Sequence, residues 1–163
     1  MSSGPRALTP EEQQTLIQAA IEGKSTHESN RTTVADRVPY SKFRVGAALF
    51  TTDGRIIKGA NIENASYGGT ICAERTALVK AVSEGTKTFL AIAVTTDVKS
   101  AISPCGICRQ FIREFCSLST PILMVSADYT PETAKDTVTS VTLGDILPYS
   151  FGPEDLDRPR EPE

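Results

Sequence analysis

The chain has 163 residues, of which 39% are hydrophobic, and these values are typical of one globular domain with its own core. The net charge of −3 argues against a nucleic acid strand as partner, because strand binding needs a basic groove that neutralises phosphates. No apolar run has the length of a membrane span, and residues 1–12 lack the apolar stretch of a secretory signal. We therefore expect a cytoplasmic protein that acts on a small, uncharged substrate.

The first predicted element is an amphipathic helix near the start of the chain. Thr9 can cap a helix, Pro10 suits the first turn, and Glu12 can complete a capping box with the threonine. The helix is expected to end near Gly23. Residues 24–37 are polar and without periodicity, which is typical of a surface loop.

A β-hairpin is predicted next. Two apolar runs, Val45–Thr51 and Arg55–Ile62, are joined through Asp53-Gly54, a dipeptide that favours a tight turn. The later elements alternate between helix and strand, and they are expected as follows: a loop at Asn64–Thr70, a helix at Cys72–Glu84 capped by Gly85, a strand at Phe89–Thr95, a helix at Cys105–Cys116, and strands at Ile122–Ser126 and Thr137–Leu143.

Together these elements predict one α/β domain over residues 1–163, with three layers (α/β/α) around a five-stranded mixed sheet. About ten residues separate the last two strands, and a parallel crossover usually needs a dozen or more, so we expect these two strands to be antiparallel. The charged and proline-rich residues 154–163 are expected to fray.

Three clustered cysteines have the spacing of a metal site. Cys105 and Cys108 are three positions apart at a predicted helix start, and Cys72 begins the other helix, where free N–H groups favour thiolates. Three thiolates leave the fourth position of a tetrahedral Zn²⁺ to water, which is the pattern of catalytic zinc. Glu74 lies in the first turn after Cys72 and is placed to carry the proton of that water.

A fourth ligand, a redox pair and a structural zinc site are the alternatives for these cysteines. Cys116 lies eight residues after Cys108, roughly 12 Å along a helix, which is too far for both sulfurs to bind one zinc. We expect it to be a small core residue. A C-x-x-C pair also occurs in redox and structural zinc sites, but the first would leave Cys72 and Glu74 without a role and the second would lack a fourth ligand. The only histidine, His27, lies in the polar loop and is expected to be exposed.

The pattern C-A-E followed by P-C-x-x-C resembles the signature of zinc deaminases, in the version with cysteine in place of histidine. The segments from Tyr40 to Ala48, from Asn61 to Ala65 and from Ser150 to Pro153 are similar to the small homotetrameric zinc-dependent cytidine deaminases. This resemblance implies hydrolytic deamination of cytidine and deoxycytidine by a zinc-bound hydroxide, in pyrimidine salvage, by a homotetramer with shared active sites.

The resemblance also implies roles at the metal. Cys72, Cys105 and Cys108 would bind one Zn²⁺ per subunit, and Glu74 would move protons to the ring nitrogen and to the departing ammonia. The charge of such a site gives a separate prediction for Arg75: three thiolates leave a net negative charge that weakens zinc as a Lewis acid, so we expect Arg75 to donate hydrogen bonds to the cysteine sulfurs rather than to lie on a solvated helix face.

The resemblance assigns six further residues to the nucleoside: Asn61 and Glu63 to the ribose, Phe43 to the face of the base, the backbone around Ala73 and Ser103 to its polar edge, and Phe151 to the site of a neighbouring subunit. An exposed strand end is the alternative for Asn61 and Glu63, a core position for Phe43, and a C-terminal anchor for Phe151. The Glu63 carboxylate is also expected to repel a 5′-phosphate. Thr70 stands where the family usually has glycine, which leaves the shape of the adjoining loop open.

Three other functions stay open at this point. A deaminase of a cytosine-containing antibiotic nucleoside would share the zinc site and differ in its sugar contacts. A nucleotide or polynucleotide deaminase is disfavoured by the negative charge and by Glu63. A zinc-stabilised interaction module would retain the metal and lack activity.

Overall fold

The computed structural model describes residues 6–25 and 38–160. Its helices are α1 (Pro10–Ser25), α2 (Ala73–Ser83), α3 (Gly106–Phe115) and the short α4 (Ala134–Thr137) and α5 (Leu143–Ile146). Its strands are β1 (Gly46–Thr51), β2 (Ile56–Ala60), β3 (Phe89–Thr95), β4 (Pro121–Val125) and β5 (Val138–Thr142). The predicted order of long helices and strands is confirmed within these ranges.

Helix α1 begins with the predicted capping box but ends later than expected. The Thr9 amide donates to Glu12 Oε2 over 2.9 Å, and the Glu12 amide donates to Thr9 Oγ1 over 3.2 Å. The prediction that the polar loop begins at Lys24 is wrong, because the helix continues to Ser25. The Lys24 side chain is buried and donates to the Thr96 carbonyl over 2.7 Å, which holds the last turn against the sheet. Residues 26–37, including His27, lie outside the described residues.

The five strands form one mixed sheet in the order β2-β1-β3-β4-β5. Only β3 and β4 are parallel; the other neighbours are antiparallel, including the β1–β2 hairpin and the predicted β4–β5 pair. Gly54 turns the hairpin at a positive φ of 84°, a conformation that favours glycine.

Helices cover both faces of the sheet, which confirms the three-layer α/β/α fold. On one face, Leu16 and Ala20 of α1 share a buried cluster with alternate residues of the central strands. On the other face, Leu78 of α2 and Ile112 of α3 are fully buried in a second cluster. Both helices that carry the cysteines therefore pack on the same side of the sheet.

Close packing of α2 on the sheet depends on Gly59 of β2. A Cβ atom at this position would lie 2.4 Å from the Ala73 carbonyl oxygen and 2.6 Å from the Ala77 nitrogen. The absence of a side chain lets the first turns of α2 lie directly on the strand. This contact sets the height of the Cys72 end of α2 above the sheet.

The C-terminal segment contacts α3. Residues Pro153–Asp155 form a 3₁₀ turn, and Glu154 forms an ion pair with Arg113, which is buried in α3. The prediction that the chain frays from residue 154 is therefore wrong for Glu154 and Asp155, which lie in this ordered turn. No described helix is both long enough and apolar enough to cross a membrane.

Candidate active site

The first turns of α2 and α3 bring three cysteine sulfurs together. Cys72 is the N-cap residue of α2, Cys105 is the N-cap residue of α3, and Cys108 lies one turn into α3. The three sulfurs all lie within 4.8 Å of one another, and those of Cys72 and Cys105 are 3.8 Å apart. Helix N-termini favour thiolates at this position because their free N–H groups carry partial positive charge.

This cluster fits a zinc ion with three protein ligands. Sulfurs that bind zinc at about 2.3 Å in a tetrahedron lie about 3.8 Å apart, as Cys72 and Cys105 do. Cys116 caps the far end of α3, is buried, and is outside the sulfur cluster, as the helical spacing predicts. Burial raises the pKa of its thiol to about 12, which is consistent with a core residue.

The electrostatics of the cluster favour a thiolate at Cys72. Hydrogen bonds from the Cys108 thiol, from Arg75 and from Cys105 hold the pKa of Cys72 well below its ordinary value, although burial acts in the opposite direction. Arg75 Nη2 lies 3.7 Å from the Cys72 sulfur and donates to it. A guanidinium in this position offsets part of the negative charge that three thiolates accumulate.

Glu74 lies beside the sulfurs in a buried position. Its side chain is only 3% exposed, and its Oε2 atom has no hydrogen-bond partner among the described residues. Burial raises the pKa of this carboxyl above its ordinary value. A buried polar oxygen without a partner is costly in a folded protein, so the geometry points to a ligand or water that completes it.

A short segment, residues 40–45, is held by side chains from two other parts of the chain. Glu63 accepts hydrogen bonds from the amides of Tyr40 (2.8 Å) and Ser41 (3.2 Å). Asn61 Nδ2 donates to the Phe43 carbonyl over 2.8 Å, and Asn61 Oδ1 accepts from the Val45 amide over 2.9 Å. Asn61 and Glu63 therefore hold the same segment. Asn61 keeps one N–H donor, and the Glu63 carboxylate keeps one acceptor site, for a further hydrogen bond.

Asp97, which sequence reasoning missed, completes this arrangement. Its carboxylate accepts from the Arg44 amide over 3.0 Å and from the Arg44 guanidinium over 2.8 Å. The only sequence signal for it was its place just after a buried strand. The backbone from residue 40 to residue 45 is thus fixed by three polar side chains.

The comparisons with known proteins agree with this geometry. The family model of the cytidine and deoxycytidylate deaminase zinc-binding region matches residues 12–124. A cytidine deaminase of Sporosarcina psychrophila is 46% identical over 129 residues, which cover 79% of this chain and 90% of that protein. A cytidine deaminase of Halalkalibacterium halodurans is 48% identical over 120 residues, which cover 74% of this chain and 86% of that protein. The chain belongs to the cytidine deaminase family.

The solved structures support the same membership. The crystal structure of cytidine deaminase from Burkholderia pseudomallei matches with a TM-score of 0.70 and 36% identity, covering 88% of this chain and all of that chain. The structure from Mycobacterium tuberculosis matches with a TM-score of 0.64 and 34% identity, covering 86% of this chain and 97% of that chain. The family's α/β fold and its zinc site, built here from Cys72, Cys105 and Cys108, are therefore those of this deaminase.

The other residues that were expected to bind the substrate differ in their exposure. Ala73 is fully buried at the start of α2, and Ser103 is half-buried just before Cys105. Phe43 lies within the held segment and is 38% exposed, so a fully buried core position is excluded for it. Phe151 is 58% exposed on the C-terminal segment, where its carbonyl accepts from Gln110.

Thr70 does not disturb the loop before the first cysteine. Its φ of −64° is in the region that all residues adopt, so glycine is not required there. Its hydroxyl accepts from the Asn64 amide over 3.3 Å and joins the two ends of the loop. The deaminase therefore accommodates threonine with an ordinary backbone.

Proposed function

We propose that this deaminase hydrolyses the exocyclic amine of cytidine and deoxycytidine, producing ammonia with uridine or deoxyuridine, and that it serves pyrimidine salvage. The observation that carries the proposal is the three-sulfur cluster with the buried Glu74 carboxyl beside it, whose Oε2 atom has no hydrogen-bond partner among the described residues. A small neutral nucleobase suits such a site, because it needs few polar contacts and no charge compensation.

Cys72, Cys105 and Cys108 hold one Zn²⁺ per subunit in this proposal. When bound, zinc acts as a Lewis acid that lowers the pKa of water and so supplies the nucleophile. Arg75 keeps the three thiolates from neutralising that Lewis acidity, since its guanidinium donates to the Cys72 sulfur. The exposed side of Cys105 provides the approach for a ligand.

Glu74 carries the protons of the reaction. Its carboxylate accepts a proton from the attacking water and delivers it to the ring nitrogen next to the amino-bearing carbon. It then accepts the proton of the new hydroxyl group on that carbon and transfers it to the amine. The carbon–nitrogen bond breaks, ammonia leaves, and the carbonyl of the product forms. The raised pKa of the buried Glu74 carboxyl supports a group that is readily protonated during each cycle.

The substrate is placed by the segment that Asn61 and Glu63 hold. The second Nδ2 hydrogen of Asn61 and the Glu63 carboxylate bind the ribose hydroxyls, and Phe43 packs against the base. The backbone around Ala73 and Ser103 binds the polar edge of the base. Hydrogen bonds from Ser41 and from the Tyr40 amide keep the pKa of Glu63 below its ordinary value, so a charged carboxylate faces any 5′-phosphate and favours nucleosides over nucleotides.

The proposed enzyme is a cytoplasmic homotetramer of single-domain subunits. Support comes from large apolar side chains on the surface, which subunit contacts would cover: Ile107 is 67% exposed and Phe151 is 58% exposed. Phe151 reaches the active site of a neighbouring subunit in this assembly.

A cytidine assay with one variant and one control tests the proposal. The wild-type chain is expected to deaminate cytidine and to lose activity with a zinc chelator. Glu74→Gln is expected to keep its metal and lose about 10²- to 10⁴-fold in kcat. Glu84→Gln is the control, since this exposed glutamate caps the other end of α2. An inactive wild-type chain with bound zinc would refute the proposal, as would an active Glu74→Gln.

The choice of substrate tests the finer part of the proposal. Cytidine, its 5′-monophosphate and a cytosine-containing antibiotic nucleoside are compared by kcat/KM with the same enzyme. Cytidine is expected to be the best of the three. Equal activity on the monophosphate would contradict the role given to Glu63, and preference for the antibiotic would contradict the assignment of cytidine.

A further inference from the structure

One arginine of α3 has a contact pattern that the proposed chemistry does not use. Arg109 lies on the turn of α3 that follows Cys105, and its guanidinium donates to three oxygens from two other parts of the chain. Nε donates to the Pro104 carbonyl over 2.6 Å, and Nη2 donates to the Ser103 hydroxyl over 2.5 Å. Nη1 donates to the Ile146 carbonyl over 2.7 Å. All three distances are short, as expected for charge-assisted hydrogen bonds.

These bonds matter because they hold the polar groups of the loop before Cys105, in which packing holds only the buried Pro104 ring. Residues 99–104 connect the end of β3 to α3 and have no regular structure. Within the part of the chain that the structure describes, residues 99–104 take part in two hydrogen bonds, and Arg109 donates both of them. Pro104 has no amide hydrogen of its own to give. This guanidinium therefore fixes the Ser103 hydroxyl and the Pro104 carbonyl relative to the first turn of α3, in addition to the packing of the Pro104 ring.

We call the three hydrogen bonds from the Arg109 guanidinium the Arg109 brace. The third of them attaches the brace to a second part of the chain. Ile146 is the last residue of α5, and its carbonyl is one of those that a helix leaves without an internal partner. Arg109 thereby joins the Ser103–Pro104 loop to a rigid element that packs on the same side of the sheet. Only a planar fork with several donors can span three acceptors in this way; the ammonium of lysine is a point charge on a flexible stem.

We infer that Arg109 is a positioning residue, which fixes the Ser103–Pro104 backbone where the polar edge of the base is to be bound. The inference rests on the proposed function, because that function assigns the Ser103 backbone to the polar edge of the base. Arg109 does not touch the sulfurs in this structure, and it acts through the loop rather than through the metal. A loop displaced by about 1 Å can cost up to 10²-fold in rate even when the catalytic groups are intact.

Arg109→Lys tests the inference, with Arg55→Lys as the matched control. Arg55 also joins two loops, since it donates to Asp53 and to the Thr86 hydroxyl, but it lies by the opposite end of α2 from Cys72. We expect Arg109→Lys to lower kcat per bound zinc at least about 10-fold, with KM for cytidine changed less. Arg55→Lys should stay within twofold of wild type. A loss of activity that is fully explained by lost zinc would overturn the inference, as would a kcat equal to that of the control.

Ser103→Ala gives a second test that leaves the arginine in place. It removes one hydrogen bond of the brace and is expected to lower kcat about 2- to 10-fold. In the Arg109→Lys background the same change should add little, because the two residues act through one contact. Independent, multiplicative effects would overturn the inference.

A crystal structure of Arg109→Lys separates the inference from the proposed function. The inference predicts displacement or loss of order at residues 99–104, whatever substrate the enzyme uses. If residues 99–104 are unchanged in this variant, the inference that Arg109 positions the loop is overturned, even if the enzyme deaminates cytidine. An inactive wild-type enzyme would refute the proposed function, and a displaced loop would then leave the structural part of the brace standing.

Discussion

Replacing Gly59 by alanine should disturb the active site without touching any residue in it. Gly59 lies under the first turns of α2, and an added Cβ would stand 2.4 Å from the Ala73 carbonyl oxygen. Since Cβ atoms essentially never approach other heavy atoms closer than 3.0 Å, α2 must move away from the sheet by at least about 0.6 Å. This helix carries Cys72 and Glu74, so both move relative to Cys105 and Cys108 on α3.

The cost can be divided between stability and catalysis. Overpacking of this kind typically lowers the free energy of unfolding by about 1–3 kcal/mol. Displacement of catalytic groups by a fraction of an ångström, toward 1 Å, is expected to lower kcat/KM by about 10- to 100-fold. Urea unfolding measures the first quantity, and cytidine turnover per bound zinc measures the second.

Gly54→Ala is the control for general destabilisation. Gly54 has a φ of +84°, and a Cβ there would meet no atom within 4 Å. The strained conformation should lower the free energy of unfolding by about 1–2 kcal/mol without moving α2. If both variants lose stability and Gly59→Ala keeps the kcat/KM of Gly54→Ala, the argument that β2 sets the position of α2 is refuted.

Four further variants test separate parts of the account. Arg75→Gln is expected to lower zinc affinity or kcat about 10- to 100-fold in metal titration and turnover, and wild-type values for both would contradict its role at the sulfurs. Cys116→Ala should keep one zinc per chain and normal turnover while lowering the free energy of unfolding by about 1 kcal/mol; lost zinc would show that Cys116 is a ligand. Thr9→Ala removes the helix cap and should lower the free energy of unfolding by about 1 kcal/mol at unchanged kcat, an effect that urea unfolding detects. For Asp97, burial opposes ionisation, but hydrogen bonds from Arg44 outweigh it and lower the pKa. Its stabilising effect is present above the unfolded pKa of about 4 and is lost as the pH falls through the lower folded value, so Asp97→Asn should flatten the acid side of the stability curve.

Local sequence signals were sufficient for much of the fold. The capping box at Thr9 and Glu12, the Asp53-Gly54 turn and the cysteine spacing each depend on residues close in sequence, and the structure agrees with all of them. The end of α1 was misplaced because Lys24 is polar, and its burial depends on Thr96, which is 72 positions away in the chain.

The organisation of the substrate side could not be predicted in the same way. The sequence pattern predicts that Asn61 and Glu63 share a face, but it does not show that both hold the backbone of residues 40–45. The Arg44–Asp97 pair joins residues 53 positions apart, and only the folded sheet brings them together. Arg109 was visible as the residue one turn after Cys105, yet its partners lie on a loop and on α5, which no local pattern connects.

The most direct test of the account is a zinc titration of the chelated, purified chain with cytidine turnover as the readout. The three-sulfur centre predicts that the chelated chain is inactive and that activity rises linearly and reaches its maximum at one zinc per chain. Full activity in the chelated chain, or no activity with one zinc bound at Cys72, Cys105 and Cys108, would contradict the account.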